Sequence, residues 1–192
     1  MLRRHRLLDV VVFILAAYAV AARPSQPSQA IQPNGFWIAP AIVGYGRMHP
    51  LDDSAYRPKP DQTYKVVFAL SAAVKSPAEV NPSLNHVALA VNLYARSGVP
   101  LKNLKFVAVA YGAATPLALN DTQYKAAFGI PNPNIPLIKA LRDKGIDVAV
   151  CGQAVAEHNY AYEWVDPHVT LSLSAITTIT TLEHEGYGLL QL

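Results

Sequence analysis

Strand-type and helix-type segments alternate through residues 63–192, and that alternation admits few folds. Tyr64–Leu70 (YKVVFAL) is an apolar, β-rich run that reads as a buried strand. Asn81-Pro82 opens a helix, with Asn81 as N-cap and Pro82 at the first helical position. Leu84, Val87, Ala88, Val91 and Leu93-Tyr94 then recur at helical spacing until Gly98. Leu104–Tyr111 is predicted as a second strand and Asp121–Phe128 as a short helix. Asn134 is expected to cap a further helix with Leu137, Ile138 and Leu141 inward and Gly145 at its close. Ile146–Val150 reads as a third strand that runs into Cys151, and Gln153–Trp164 is expected to be partly helical. A short strand (Val169–Leu173), a helix (Ser174–Glu185) and a last strand (Tyr187–Leu192) complete the pattern. Such alternation predicts an α/β fold: a doubly wound, mainly parallel sheet of about five strands with helices on both faces.

The first 62 residues follow different rules. Residues 1–22 have the layout of a secretory signal peptide: Arg3, Arg4 and Arg6, an apolar run from Val10 to Val20, then Ala21 and Ala22. The run falls short of the ~20 residues of a spanning helix, so no stable membrane span is expected after cleavage. Residues 23–62 read as a Pro-rich tether followed by an ordered arm. Phe36, Trp37, Ile38, Ile42, Val43, Tyr45 and Met48 are too apolar for a solvated linker, while four prolines forbid a long helix. The arm is expected to pack on the domain or on a neighbouring subunit. Residues 63–192 form the α/β domain. Cleavage near Ala22 removes three Arg and one Asp and takes the formal charge from +3 to +1. No basic cluster remains for a phosphate backbone, so nucleic acid is not an expected partner. The expected destination is the periplasm or the medium.

Cys151 is the single cysteine of the chain, so no internal disulfide is available to it. It stands at the carboxyl end of a buried strand, the end where open α/β sheets bind ligands. A helix start just beyond it, at Gly152-Gln153, would favour the thiolate. The bland reading is a small buried hydrophobe. His158, seven residues on, and His86, near the start of the first helix, are candidate neighbours; a Cys–His nucleophile pair requires one of them within hydrogen-bond reach of the sulfur. Gly112 begins a stretch, Gly112 to Thr115, at the same sheet edge that offers a weak anion cradle. No zinc spacing, Cys-x-x-Cys, Walker or dinucleotide motif occurs, so no metal and no cofactor are expected.

Taken together, Asn81-Pro82, Val109 to Gly112, Asn132-Pro133-Asn134, Asp147 to Cys151-Gly152-Gln153, Leu173 to Ala175 and Gly186-Tyr187 resemble the DsrE/DsrF-like family over residues ~63–192. The resemblance implies a homo-oligomer, often a trimer or hexamer, and a sulfur-relay chemistry in which a cysteine carries sulfur as a persulfide between a donor and an acceptor protein. Cys151 falls at the acceptor-cysteine position. The chain departs from the pattern in looking exported and in lacking Arg-Gly after the cysteine. The alternative is a non-catalytic oligomeric module that binds a small molecule in an inter-subunit crevice, with a structural cysteine.

Overall fold

A computed structural model describes residues 35–192. The signal segment (1–22) and the Pro-rich tether that follows it lie outside the described residues. Five parallel strands form one sheet: β1 (Tyr64–Leu70), β2 (Leu104–Ala110), β3 (Asp147–Cys151), β4 (Thr170–Ser172) and β5 (Gly188–Gln191), in the order β4-β3-β2-β1-β5. Its helices are α1 (Pro82–Arg96), α2 (Asp121–Phe128), α3 (Ile135–Arg142), α4 (Gly152–Glu157) and α5 (Ala175–His184). The α/β architecture expected from the alternation is the one observed. Among the described residues no helix is long and apolar enough to cross a membrane.

The strand interiors are apolar on both sides because both faces are covered. On one face, Phe68, Leu70, Phe106, Ala108, Val148 and Val150 meet the inward stripes of α1 and α3. Leu84, Val87, Ala88 and Val91 on α1, and Leu137, Ile138 and Leu141 on α3, are fully buried there. Leu93 departs from the expected stripe: it turns away from Val87 and Val91 and is 41% exposed. The other face carries Val67, Val109, Ala149 and Cys151 and is covered by α5, which forms the crossover from β4 back to β5.

The N-terminal arm packs on the α1 side of the sheet. Ile42 and Met48 are buried, and Ile38 and Met48 exchange backbone hydrogen bonds that close the arm into a loop. Asn92, wholly buried in α1, holds this loop. Its Oδ1 accepts from the N–H groups of Ala41 and Ile42 at 2.8 Å, and its Nδ2 donates to the carbonyls of Tyr45 and Gly46 at 2.9 Å. Gly46 sits so close to α1, at φ +55°, that an added Cβ would lie 2.1 Å from the Leu89 nitrogen.

A buried asparagine network ties the loops at the carboxyl edge. Asn81 caps α1, its Oδ1 accepting from Ser83 and Leu84. Asn134 stands at the N-cap of α3, but its side chain does not cap that helix. Its Oδ1 instead accepts the Asn81 N–H at 2.7 Å, and its Nδ2 donates to Asn132. The tie between two helix starts takes the place of the expected cap. Asn132 in turn donates to the carbonyls of Leu117 and Leu119.

Candidate functional site

Cys151 is the last residue of β3, paired in register with Ser172 of β4. The strand therefore extends one residue beyond the Ile146–Val150 run and includes the cysteine. It also serves as the N-cap of α4, and its Sγ accepts the Ala154 N–H at 3.4 Å. Cys151 is 6% exposed and belongs to the smaller cluster with Val67, Val109, Ala149, Ala154 and Ala175. Tyr111, one step past the paired Ala110 and Val150, packs against the same cluster. Ala175 is the first residue of α5, whose N-cap Ser174 accepts the Thr177 N–H through its hydroxyl. The sulfur thus lies in a mainly apolar layer to which the first turns of two helices contribute.

Gly152 is required by close approach. A Cβ there would stand 2.8 Å from the Ser172 carbonyl oxygen and 3.4 Å from that of Leu173. Without a side chain, α4 leaves β3 pressed against the β4 backbone, which fixes the direction in which Cys151 ends its strand. Gln153 is exposed, and its Nε2 donates to the Leu173 carbonyl at 3.2 Å. Gly152, Gln153, Tyr162, Leu171, Ser172 and Leu173 line an open cleft of about 320 Å³ beside the cysteine. Another cleft of about 320 Å³, between the arm and the end of α1, holds none of the candidate residues.

His158 and Gly112 come together. The His158 Nε2 lies 2.9 Å from the Gly112 carbonyl, so that nitrogen carries the proton and donates, and the ring stacks on Tyr160. This contact ties the end of α4 to the turn after β2. Among the described residues, neither His158 nor His86 is hydrogen-bonded to Cys151, so the pair needed for a Cys–His hydrolase is not formed. His86 is exposed on α1, which covers the opposite face of the sheet from the Cys151 cluster. The stretch from Gly112 is a 3-10 helix, Gly112–Ala118, not an open cradle. Its Ala114 N–H goes to the Tyr111 carbonyl, and the Gly112 carbonyl takes both His158 and the Thr115 hydroxyl. Burial pushes the Tyr160 phenol above its ordinary pKa.

Asp166 and His168, which the sequence does not single out, form a further pair. The buried Asp166 carboxylate accepts from His168 Nδ1 at 2.7 Å and from the His168 backbone N–H. Spacing of two with Pro167 between them is the signal for such a turn. Among the described residues no group of three or more His, Cys, Asp or Glu is placed to hold a metal.

The DsrE/DsrF-like family model matches residues 64–192, from the first residue of β1 to the end of the chain. The chain belongs to the DsrE/DsrF-like family. Its DsrE-like domain is thus the whole five-stranded unit, and the N-terminal arm lies outside the match. No curated protein matches. Among solved structures, a protein of unknown function, MTH1491 from Methanobacterium thermoautotrophicum, is 16% identical with a TM-score of 0.47, covering 67% of this chain and 99% of its own. The ychN protein from E. coli is 13% identical with a TM-score of 0.46, covering 68% of this chain and 100% of its own.

Proposed function

We propose that this DsrE-like protein is an exported homo-oligomer whose Cys151 accepts a sulfur atom as a persulfide and hands it to a partner thiol. The observation that carries the reading is the position of the lone cysteine. It ends a central strand at the ligand-binding edge, and its sulfur accepts a backbone N–H at a helix start.

The step balances without an outside oxidant. The Cys151 thiolate attacks the outer sulfur of a donor persulfide or polysulfide; that S–S bond breaks, and the donor leaves as a thiolate. Cys151 then carries the sulfur as an anionic persulfide. An acceptor thiolate attacks the outer sulfur, a new S–S bond forms on the acceptor, and Cys151 departs as thiolate. Export is supported by the basic, apolar and small-residue layout of residues 1–22. Oligomerisation is supported by apolar side chains left in solvent: Tyr162 (51% exposed) and Leu173 (72%) on the cleft wall, and Ile176 (78%) in the first turn of α5.

Burial supports a second reading, a binding module with a structural cysteine, because a cysteine 6% exposed among alanines and valines packs as a small hydrophobe. Iodoacetamide labelling of the folded protein separates the two. The relay reading expects Cys151 to be alkylated under native conditions, at a rate within about tenfold of a free thiolate-forming cysteine. Labelling that waits for denaturant would leave only the structural role.

A further inference from the structure

A separate pocket lies on the other side of the 3-10 helix Gly112–Ala118, between the loop after β1 and helix α2. Its volume is about 180 Å³. Ala73, Pro77 and Ala113 stand at its exposed mouth, and Phe128, 37% exposed, closes one side. Ala114, Leu117 and Tyr124 form its buried floor, with Asn81 and Asn134 between them. It opens at the carboxyl ends of β1 and β2, where α/β sheets place their ligands.

The lining dictates what fits. It contains no Lys, Arg, His, Asp or Glu, so a charged ligand would lose its hydration with no counter-charge in return. The polar groups are largely spent. The Tyr124 hydroxyl donates to the Pro77 carbonyl at 2.8 Å, and both asparagine carbonyl oxygens accept backbone N–H groups. Each asparagine amide has two N–H donors, and each spends one within the protein: Asn81 on the Ala72 carbonyl, Asn134 on Asn132. One donor on each remains for an acceptor atom. Size narrows the choice further. Drug-sized ligands fill about 300–1,000 Å³, whereas an apolar cavity of about 150 Å³ admits benzene. The Tyr124 and Phe128 rings, 4.5 Å apart between centroids, give the pocket an aromatic wall.

We infer that this pocket is a binding site for a compact, uncharged, single-ring molecule bearing one acceptor oxygen. The site is independent of Cys151, so the inference does not rest on the sulfur-relay reading.

Phenol and benzoate, titrated separately into the full chain at neutral pH and followed by amide chemical shifts, test it. Phenol is expected to shift the amides of Ala73, Ala114, Leu117, Tyr124 and Phe128 at low-millimolar concentration, and benzoate to bind about tenfold or more weakly. Ala114→Leu fills the floor and is expected to abolish the response. Ala113→Leu and Ala73→Leu, at the exposed mouth, are expected to weaken it without disturbing the fold. The inference fails if phenol leaves these amides unmoved, if benzoate moves them equally, or if both mouth variants respond like the parent. It also fails if phenol does not bind while a Phe128→Ser change alters the oligomeric state, since the pocket would then receive a side chain of another copy.

Discussion

At the scale of single residues, the site depends on what is missing from position 152 as much as on the sulfur at 151. Gly152→Ala brings a methyl group to 2.8 Å from the Ser172 carbonyl oxygen, and backbone on both sides has little room to yield. The expected cost is about 1–3 kcal/mol, read as a lower urea midpoint with an unchanged denaturant slope. Tyr124 gives a pH signature. Burial, and secondly a negative charge on Tyr160, raise its pKa above the usual 10.0. A raised folded value means that this contribution to stability is fully present below the unfolded pKa and is lost as pH rises through the folded one. Thermal midpoints are therefore expected to fall above pH ~10, and to fall less steeply in Tyr124→Phe. That variant also loses the hydroxyl's bond to Pro77 and starts about 1 kcal/mol lower near neutral pH.

At the scale of elements, local pattern carried much of the information. Tyr64–Leu70 and Asp121–Phe128 are legible to the residue because each is bounded by turn or cap residues and carries one clear pattern. What stayed hidden is polar and non-local. The role of Asn92 has no local signal, since nothing in its own helix indicates that an arm about 50 residues earlier supplies four backbone partners. Asn134 reads as a cap because an asparagine before a helix normally is one, and only the fold brings the Asn81 N–H to it. The cleft beside Cys151 is legible as a sheet edge, whereas the side chains that wall the sulfur come from β1, β2, α4 and α5 and follow from strand order. Asn92→Ala strips partners from the Ala41, Ile42, Tyr45 and Gly46 backbone. A loss of about 3 kcal/mol or more is expected, since each buried group left bare costs about 1–3 kcal/mol. Hydrogen exchange should rise at Ile42 and Gly46 before it rises in the strands; equal exchange throughout would mean that the arm and sheet open as one unit.

At the scale of the whole molecule, the covering of the sheet is uneven. One face holds the large core under α1, α3 and the arm; the other has α5 and the first turn of α4 over a small cluster, with Ile176 of α5 facing solvent. If this side meets another copy, Ile176→Glu should shift sedimentation towards the monomer while far-ultraviolet dichroism is unchanged. A parent protein that sediments as a monomer would remove the oligomeric part of the proposal. The chemical part concerns one atom, and intact mass reads it directly. After exposure of the folded protein to polysulfide and removal of the excess, the native chain should gain one sulfur, about 32 Da, and Cys151→Ser should gain none. A native chain that gains nothing, or a serine variant that gains as much, would contradict a sulfur-accepting role for Cys151.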